Sequence, residues 1–128
     1  MAAWDGTLKN FTDVGGDLVM DDLTAWAEYE TDAQDVGTLD WNSLTVEDAW
    51  GKGAGDLDGA TRLLLESSYS TDDITYSSYS RHEDQTGYWR YYKLRVTAYT
   101  DPGSGTPPSL TRLEAQIKQA NGTTAQMN

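Results

Sequence analysis

The stretch that decides the fold is Tyr88-Trp89-Arg90-Tyr91-Tyr92-Lys93-Leu94-Arg95-Val96-Thr97-Ala98-Tyr99-Thr100. Leu94, Val96 and Ala98 alternate with Lys93, Arg95, Thr97 and Tyr99. A period of two puts the first set on one face and the second on the other, as in a strand with one wet side. Asp101-Pro102-Gly103-Ser104-Gly105 then breaks the run, because Pro presets φ and Gly supplies φ > 0. Pro107 and Pro108 cannot donate to a ladder, so the next strand starts after them. Leu113, Ala115 and Ile117 alternate along that strand.

Outward from this pair the pattern repeats. Short runs rich in Thr, Tyr, Val, Leu and Trp predict strands at 17–20, 24–31, 39–46, 61–68 and 74–80. Clusters of Gly, Asp, Asn, Ser and Pro divide them about every ten residues, the signature of an all-β sandwich or barrel. No window keeps an amphipathic helical stripe. The Gly51–Gly55 run and the segment from His82 to Gly87 read as loops. The expectation is one all-β domain over residues 1–118, an antiparallel jelly-roll β-sandwich with an N-terminal leading segment. Residues 119–128 are expected to form an irregular tail.

Composition makes an ordered sandwich a demanding proposal. Leu, Ile, Val and Phe supply only 20 of 128 residues, about 16%, and the net charge is −12. Such figures ordinarily signal disorder. Five Trp and eight Tyr oppose that reading, since each buried aromatic hides about 150–250 Å². With no Cys, disulfides and thiolate metal sites are excluded. No apolar run is long enough for a membrane span, and the first twenty residues have no apolar core of a secretory signal. An acidic chain also lacks the basic footprint for nucleic-acid phosphates.

The charge is uneven. Residues 1–60 carry 14 acids against Lys9 and Lys52, whereas residues 61–128 carry seven acids and seven bases. All the net charge therefore lies in the first half of the chain. Asp outnumbers Glu 15 to 6, and there are only four Lys and as many as 16 Thr. This bias points to a protein working in high salt, where screening relieves the self-repulsion of the acids.

The order of the pieces is itself informative. A Gly-Asp-Leu strand (VGGDLVMDD, 14–22) precedes a Tyr29-Glu30-Thr31 strand running to Asp35-Val36-Gly37. A Trp-containing strand (LDWNSLTV, 39–46) and a Gly-rich loop follow, then ATRLLLESS (60–68) leading into YSTDDITYSSY (69–79). YWRYYKLRVTAY (88–99) and TDPGSGTPPSLTRLEAQI (100–117) close the series. Over about residues 11–118 this resembles the galactose-binding-like, discoidin-type jelly rolls that recur in structural proteins of tailed bacterial and archaeal viruses. In that group a Ser-x-Asp-Gly turn and aromatics precede an Arg-Tyr strand, and a Thr-Pro-x-Leu strand closes the sandwich. Here Asp72-Asp73 replaces the usual Asp-Gly, and Tyr76 and Tyr79 stand where Trp is commoner. The resemblance carries over no ligand-binding or catalytic residue.

Candidate sites are few. His82, the single histidine, lies in Arg81-His82-Glu83-Asp84 with no GxSxG elbow elsewhere, and reads as an exposed loop residue. Asp56 and Asp58, in Asp56-Leu57-Asp58-Gly59, form a fragment of a calcium loop without its third acid and closing Glu. They are the candidate ligands for a structural calcium, and no other cofactor is expected. Glu28 and Glu30 share a strand face and read as a solvated acidic edge that discourages stray pairing.

Of the aromatics Trp26, Tyr29, Trp41, Trp50 and Trp89, most must fill the core. Trp50, beside the glycine loop, is the expected exposed ring. Trp89, Arg90, Tyr91, Lys93 and Arg95 make the chain's only basic-aromatic stripe, a candidate interface or glycan contact. The expected function is non-enzymatic. The chain would be a virion structural protein of a tailed haloarchaeal virus, at the tail tip, baseplate or fibre, or as a capsid turret or decoration protein. It would assemble as a homo-oligomer and touch other virion proteins, with the acidic half of one copy meeting the basic stripe of the next. The alternative is a carbohydrate-binding module for host-surface glycans.

Overall fold

In a computed structural model of the protein, residues 4–22, 24–50, 61–84, 86–100, 109–119 and 124–127 are described. They contain ten β-strands and no helix. All pairings are antiparallel, and one sheet curls until it is nearly closed into a barrel-like sandwich.

Its centre is β8 (Thr86–Thr100), the strand quoted at the outset. Tyr92, Leu94, Val96 and Ala98 point inward and are buried, while Lys93, Arg95, Thr97 and Tyr99 are half-buried on the other face. Trp89 is also buried, although the period starting at Tyr92 would turn it outward. The phase therefore slips by one residue at Arg90-Tyr91.

The partner strand explains the slip. One edge of β8 is shared by β4 (Ala27–Thr31) and the first part of β5 (Gln34–Trp50). Tyr29 lies opposite Val96, Asp35 opposite Tyr91, and Asp40 opposite Trp89. Residues 36–39 thus face the single residue Arg90. This is a large bulge of the kind that bends a strand and re-aims its side chains. β6 (Thr61–Ser70) covers the other edge of β8 from Tyr91 to Thr100.

Past the bulge, β5 crosses to the other side of the sandwich and pairs with β9 (Ser109–Gln119) from Asn42 to Trp50. β9 also pairs with β3 (Asp17–Met20), and β3 with β2 (Phe11–Val14). β1 (Gly6–Lys9) closes the opposite side against β4. The two end strands, β1 and β2, are consecutive in sequence, joined at Asn10 with φ +59°. Asn tolerates this left-handed conformation. Its side-chain amide donates to the carbonyls of Asp22 and Ala25 at 2.7 and 3.1 Å, while its oxygen accepts from the Asp22 N–H at 2.8 Å. Gly6 has φ +126°, and a Cβ there would lie 2.2 Å from the Glu30 carbonyl oxygen, so β1 can approach β4 only with glycine.

The core combines Phe11, Leu18, Met20, Leu44, Leu110, Leu113 and Ile117 with Tyr29, Trp89 and Tyr92. Aromatics supply the volume that the scarce aliphatics cannot. Trp89 packs at a tilt 4.9 Å from Tyr69 and edge-on 6.0 Å from Tyr92, and Trp4 meets Tyr29 edge-on at 5.4 Å.

The N-terminal leading segment carries two strands, β1 and β2. Two expectations are corrected. The chain after Gln119 is not irregular throughout, because β10 (Thr124–Met127) pairs with β9 from Lys118 to Ala115. Residues 74–80 do not form a strand; only Ser80–Arg81 (β7) pairs, with β6. The reason is local. The Asp72 carboxylate accepts the N–H groups of Ile74 and Thr75, both at 2.9 Å, and Ser70 Oγ accepts from Asp73. Polar side chains so placed outcompete a ladder for the backbone.

Candidate functional site

The basic-aromatic stripe is already engaged within the fold. Residues 71–79 run as a strap across the outward face of β8. The Lys93 ammonium lies 4.4 Å from the centre of the Tyr76 ring, and the Arg95 guanidinium 4.2 Å from that of Tyr79. Arg95 also pairs with Glu66 at 2.9 Å, and the Tyr79 hydroxyl donates to Glu30 at 2.7 Å. Burial, then the neighbouring Glu30, pushes the Tyr79 phenol well above its ordinary pKa. Tyr76 donates to Asp73 and is raised too, first by burial.

Arg90 holds Asp35 through two hydrogen bonds of 2.8 and 3.0 Å, and its guanidinium lies over the half-buried Tyr91 ring at 5.2 Å. The Arg90 contact, aided by the Gly37 N–H at 2.7 Å, keeps the Asp35 carboxyl below the usual range. Trp89 is only 3% exposed and faces the core, which removes it as a contact residue. Trp50 is half-buried against the core, and its indole N–H donates to Asp48 at 2.7 Å. Asp56 and Asp58 lie outside the described residues. Among the described residues, no group of three or more His, Cys, Asp or Glu is placed to hold a metal ion.

His82 is not exposed as expected; its side chain is only 5% accessible. Nδ1 lies 3.1 Å from Ser67 Oγ and Nε2 lies 2.9 Å from Asp84. The three residue types are those of a hydrolytic triad, with the two ring nitrogens exchanged relative to the usual roles. Ser67 is buried at 3% exposure, so its hydroxyl faces the protein interior and not solvent. The network fastens residues 82–84 to β6, alongside the His82 N–H to Leu65 carbonyl bond of 2.8 Å.

What the fold leaves bare is a face that sequence reasoning missed. Trp41 on β5 and Tyr88 on β8 are directly opposite each other, 56% and 50% exposed, with ring centroids 5.5 Å apart and planes tilted by 57°. They sit immediately beyond the bulge, which is pinned on both sides. Outside, Asp35 ties Arg90 to Gly37. Inside, the Asn42 amide donates to the Trp89 carbonyl at 2.6 Å and to the Thr38 carbonyl at 3.3 Å. Asn42 is fully buried, and its side-chain oxygen has no hydrogen-bond partner among the described residues. Leu39, at the bulge, is also exposed.

Register extends this face across three strands. Ser43 lies opposite Thr86 on one side and Lys118 on the other, and Thr45 lies opposite Gln116. Directly opposed residues and their i+2 neighbours share a face. The strip beside the aromatic pair is therefore Ser43, Thr45, Thr86, Gln116 and Lys118. It ends at Glu47 and Glu114, near which Arg112 lies at 4.0 and 3.7 Å.

The signal for Trp41 was present in the parity of its strand. Asn42, Leu44 and Val46 share one face, and Trp41, Ser43, Thr45 and Glu47 share the other. Compared with known proteins, the chain matches no family model, and no curated protein or solved structure matches it.

Proposed function

We propose that this chain is a non-enzymatic structural protein of a virus particle, from a tailed virus of a high-salt host. It works by packing against copies of itself and neighbouring particle proteins. The viral part of the reading is supported by the resemblance of the motif order quoted above to that of tailed-virus jelly rolls. The observation that carries the assembly reading is where the scarce apolar side chains lie. Although Leu, Ile, Val and Phe make up only about 16% of the chain, Leu8, Val14, Trp26, Leu39, Trp41, Ile74 and Tyr88 are all exposed.

Full burial of one such side chain is worth about 1.5–3 kcal/mol. Neighbours that cover them would recover that stabilisation. Leu8, Val14, Trp26 and Ile74 lie on different elements: β1, β2, the 21–26 corner and the strap. That distribution suits a subunit with several neighbours. Because the cations of the β8 stripe are engaged within the fold, the proposed contacts move from that stripe to the apolar positions away from the Trp41–Tyr88 pair, namely Leu8, Val14, Trp26 and Ile74. The net charge of −12 opposes association at low salt. At molar salt the screening length falls to about 3 Å, from about 10 Å at 0.1 M.

Mass spectrometry of purified particles tests the reading, which requires this chain in many copies; its absence from particles would end it. Light scattering adds a check on the isolated protein. Oligomers are expected in molar KCl and monomers at low salt, with Val14→Asp or Ile74→Asp weakening the oligomer while the fold persists.

A further inference from the structure

We infer that the Trp41–Tyr88 face is a binding site for an uncharged glycan. The inference goes beyond the assembly reading and does not depend on it. It begins with presentation. Both rings are half exposed on the outer side of the sheet, yet their strand positions are fixed from beneath by Asn42 and from beside by the Asp35–Arg90 pair. A ligand that meets a preformed surface avoids much of the ordering cost of binding.

The chemistry of the surroundings selects the ligand. An indole and a phenol offer apolar ring faces, which match the C–H face of a pyranose. Ser43, Thr45, Thr86 and Gln116 provide neutral donors and acceptors at the height of the sheet, matching the hydroxyl rim of such a ring. Lys118 supplies the one formal charge in the strip, and the carboxylates Glu47 and Glu114 begin only at its far end. In a chain of net charge −12, the residues nearest the aromatic pair along the strip are neutral, with the carboxylates Glu47 and Glu114 at its end and Asp35 held by Arg90 on the other side.

A second copy of the chain is a poorer occupant, since it brings another −12 against a face with one cation. A nucleic acid would need a row of cations that this strip lacks. Adjacent strands lie about 4.8 Å apart, so the face spans roughly 10 Å from β8 to β9. That is room for a short run of sugar rings. The 57° tilt between the aromatic planes makes a shallow cup, which favours a bent or terminal sugar over a flat crystalline chain.

The test uses the full chain on an array of neutral and acidic oligosaccharides, followed by titration of tryptophan fluorescence with the best neutral ligand. Expected is saturable binding of neutral glycans that persists in molar KCl. Trp41→Ala and Tyr88→Ser should each weaken it roughly tenfold or more, as for aromatic anchors elsewhere, while Trp26→Ala leaves it unchanged. Both positions are exposed, so the variants should keep the wild-type circular dichroism. Three results would overturn the inference: no neutral glycan bound at millimolar concentration, binding confined to acidic glycans, or affinity indifferent to Trp41→Ala. Loss of self-association in Trp41→Ala without any glycan binding would instead assign the face to a second copy. Finding the chain absent from particles would leave the glycan result standing, so the two readings fail separately.

Discussion

The outer face of β8 has two halves built from similar residues and treated in opposite ways. Toward its C-terminal end, Lys93 and Arg95 are capped by Tyr76 and Tyr79 of the strap. Toward its N-terminal end, Tyr88 and its partner Trp41 have no such cover among the described residues and stand half in solvent. Both halves mix aromatic and basic residues, so composition does not separate them. The difference is made by two local devices. Asp72 and Ser70 turn the chain out of β6 and lay it over the cations, whereas the bulge at residues 36–39 lifts Trp41 clear. A basic-aromatic stripe in a sequence thus becomes a recognition surface only where the chain supplies no cover of its own.

The sharpest way to break the comparison is to truncate one tryptophan of each kind. Trp89→Ala removes a buried ring packed against Tyr69 and edge-on to Tyr92 and should cost about 3–5 kcal/mol. Trp41→Ala should stay within about 0.5 kcal/mol of wild type, as exposed substitutions do. Urea unfolding midpoints check both. Equal losses would mean that the two rings share one environment.

Alkali probes the buried and capped tyrosines together. Burial, with Asp5 and Asp32 nearby, pushes Tyr29 up to about 12. Tyr69, Tyr76, Tyr79 and Tyr92 are raised as well, each chiefly by burial. A phenol whose pKa is higher in the folded state contributes stability that is fully present below its unfolded pKa near 10. That stability is lost as pH rises from about 10 through the folded value. Urea midpoints should therefore fall progressively above pH 10. A flat profile to pH 12 would contradict the burial assigned to these rings.

The strap offers the smallest effect. Tyr79→Phe keeps the ring beneath Arg95 but removes the bond to Glu30, and Tyr79→Ala removes both. Losses of about 1 kcal/mol and somewhat more are expected for these partly exposed contacts. Limited proteolysis should show faster cleavage within residues 71–79 in the alanine variant, with the β8 core still protected.

Much of the fold was legible in the residues, for reasons that also mark where legibility stops. The alternation from Tyr92 to Ala98 is plain because one face meets a core and the other water. The slip at Arg90-Tyr91 is invisible, since it depends on four residues of a distant strand opposing one. β1 and β2 were hidden because GTLK and FTDV are short and polar, and their place is set by the Asn10 corner. Residues 74–80 misled because Ile, Thr and Tyr favour strands, while the turn that overrides them is built by Asp72 and Ser70. In the candidate site, the strand bearing Trp41 is legible. The scarcity of aliphatics, however, argued for placing most tryptophans in the core and pointed to Trp50 as the exposed ring, although strand parity sets Trp41 on the face opposite Asn42 and Leu44. The pairing of Trp41 with Tyr88 depends on register across the bulge, and no local pattern encodes that.

The central claim is that one half of this face is covered by the chain itself and the other is bare. Hydroxyl-radical footprinting of the monomer at low salt, read residue by residue by mass spectrometry, tests it most directly. Trp41 and Tyr88 should oxidise fastest with Trp26, Tyr79 should react slowly until Tyr76→Ala loosens the strap, and Trp89 and Tyr92 should stay protected. Trp89 oxidising as fast as Trp41, or Tyr79 as fast as Tyr88 in the unmodified chain, would contradict it.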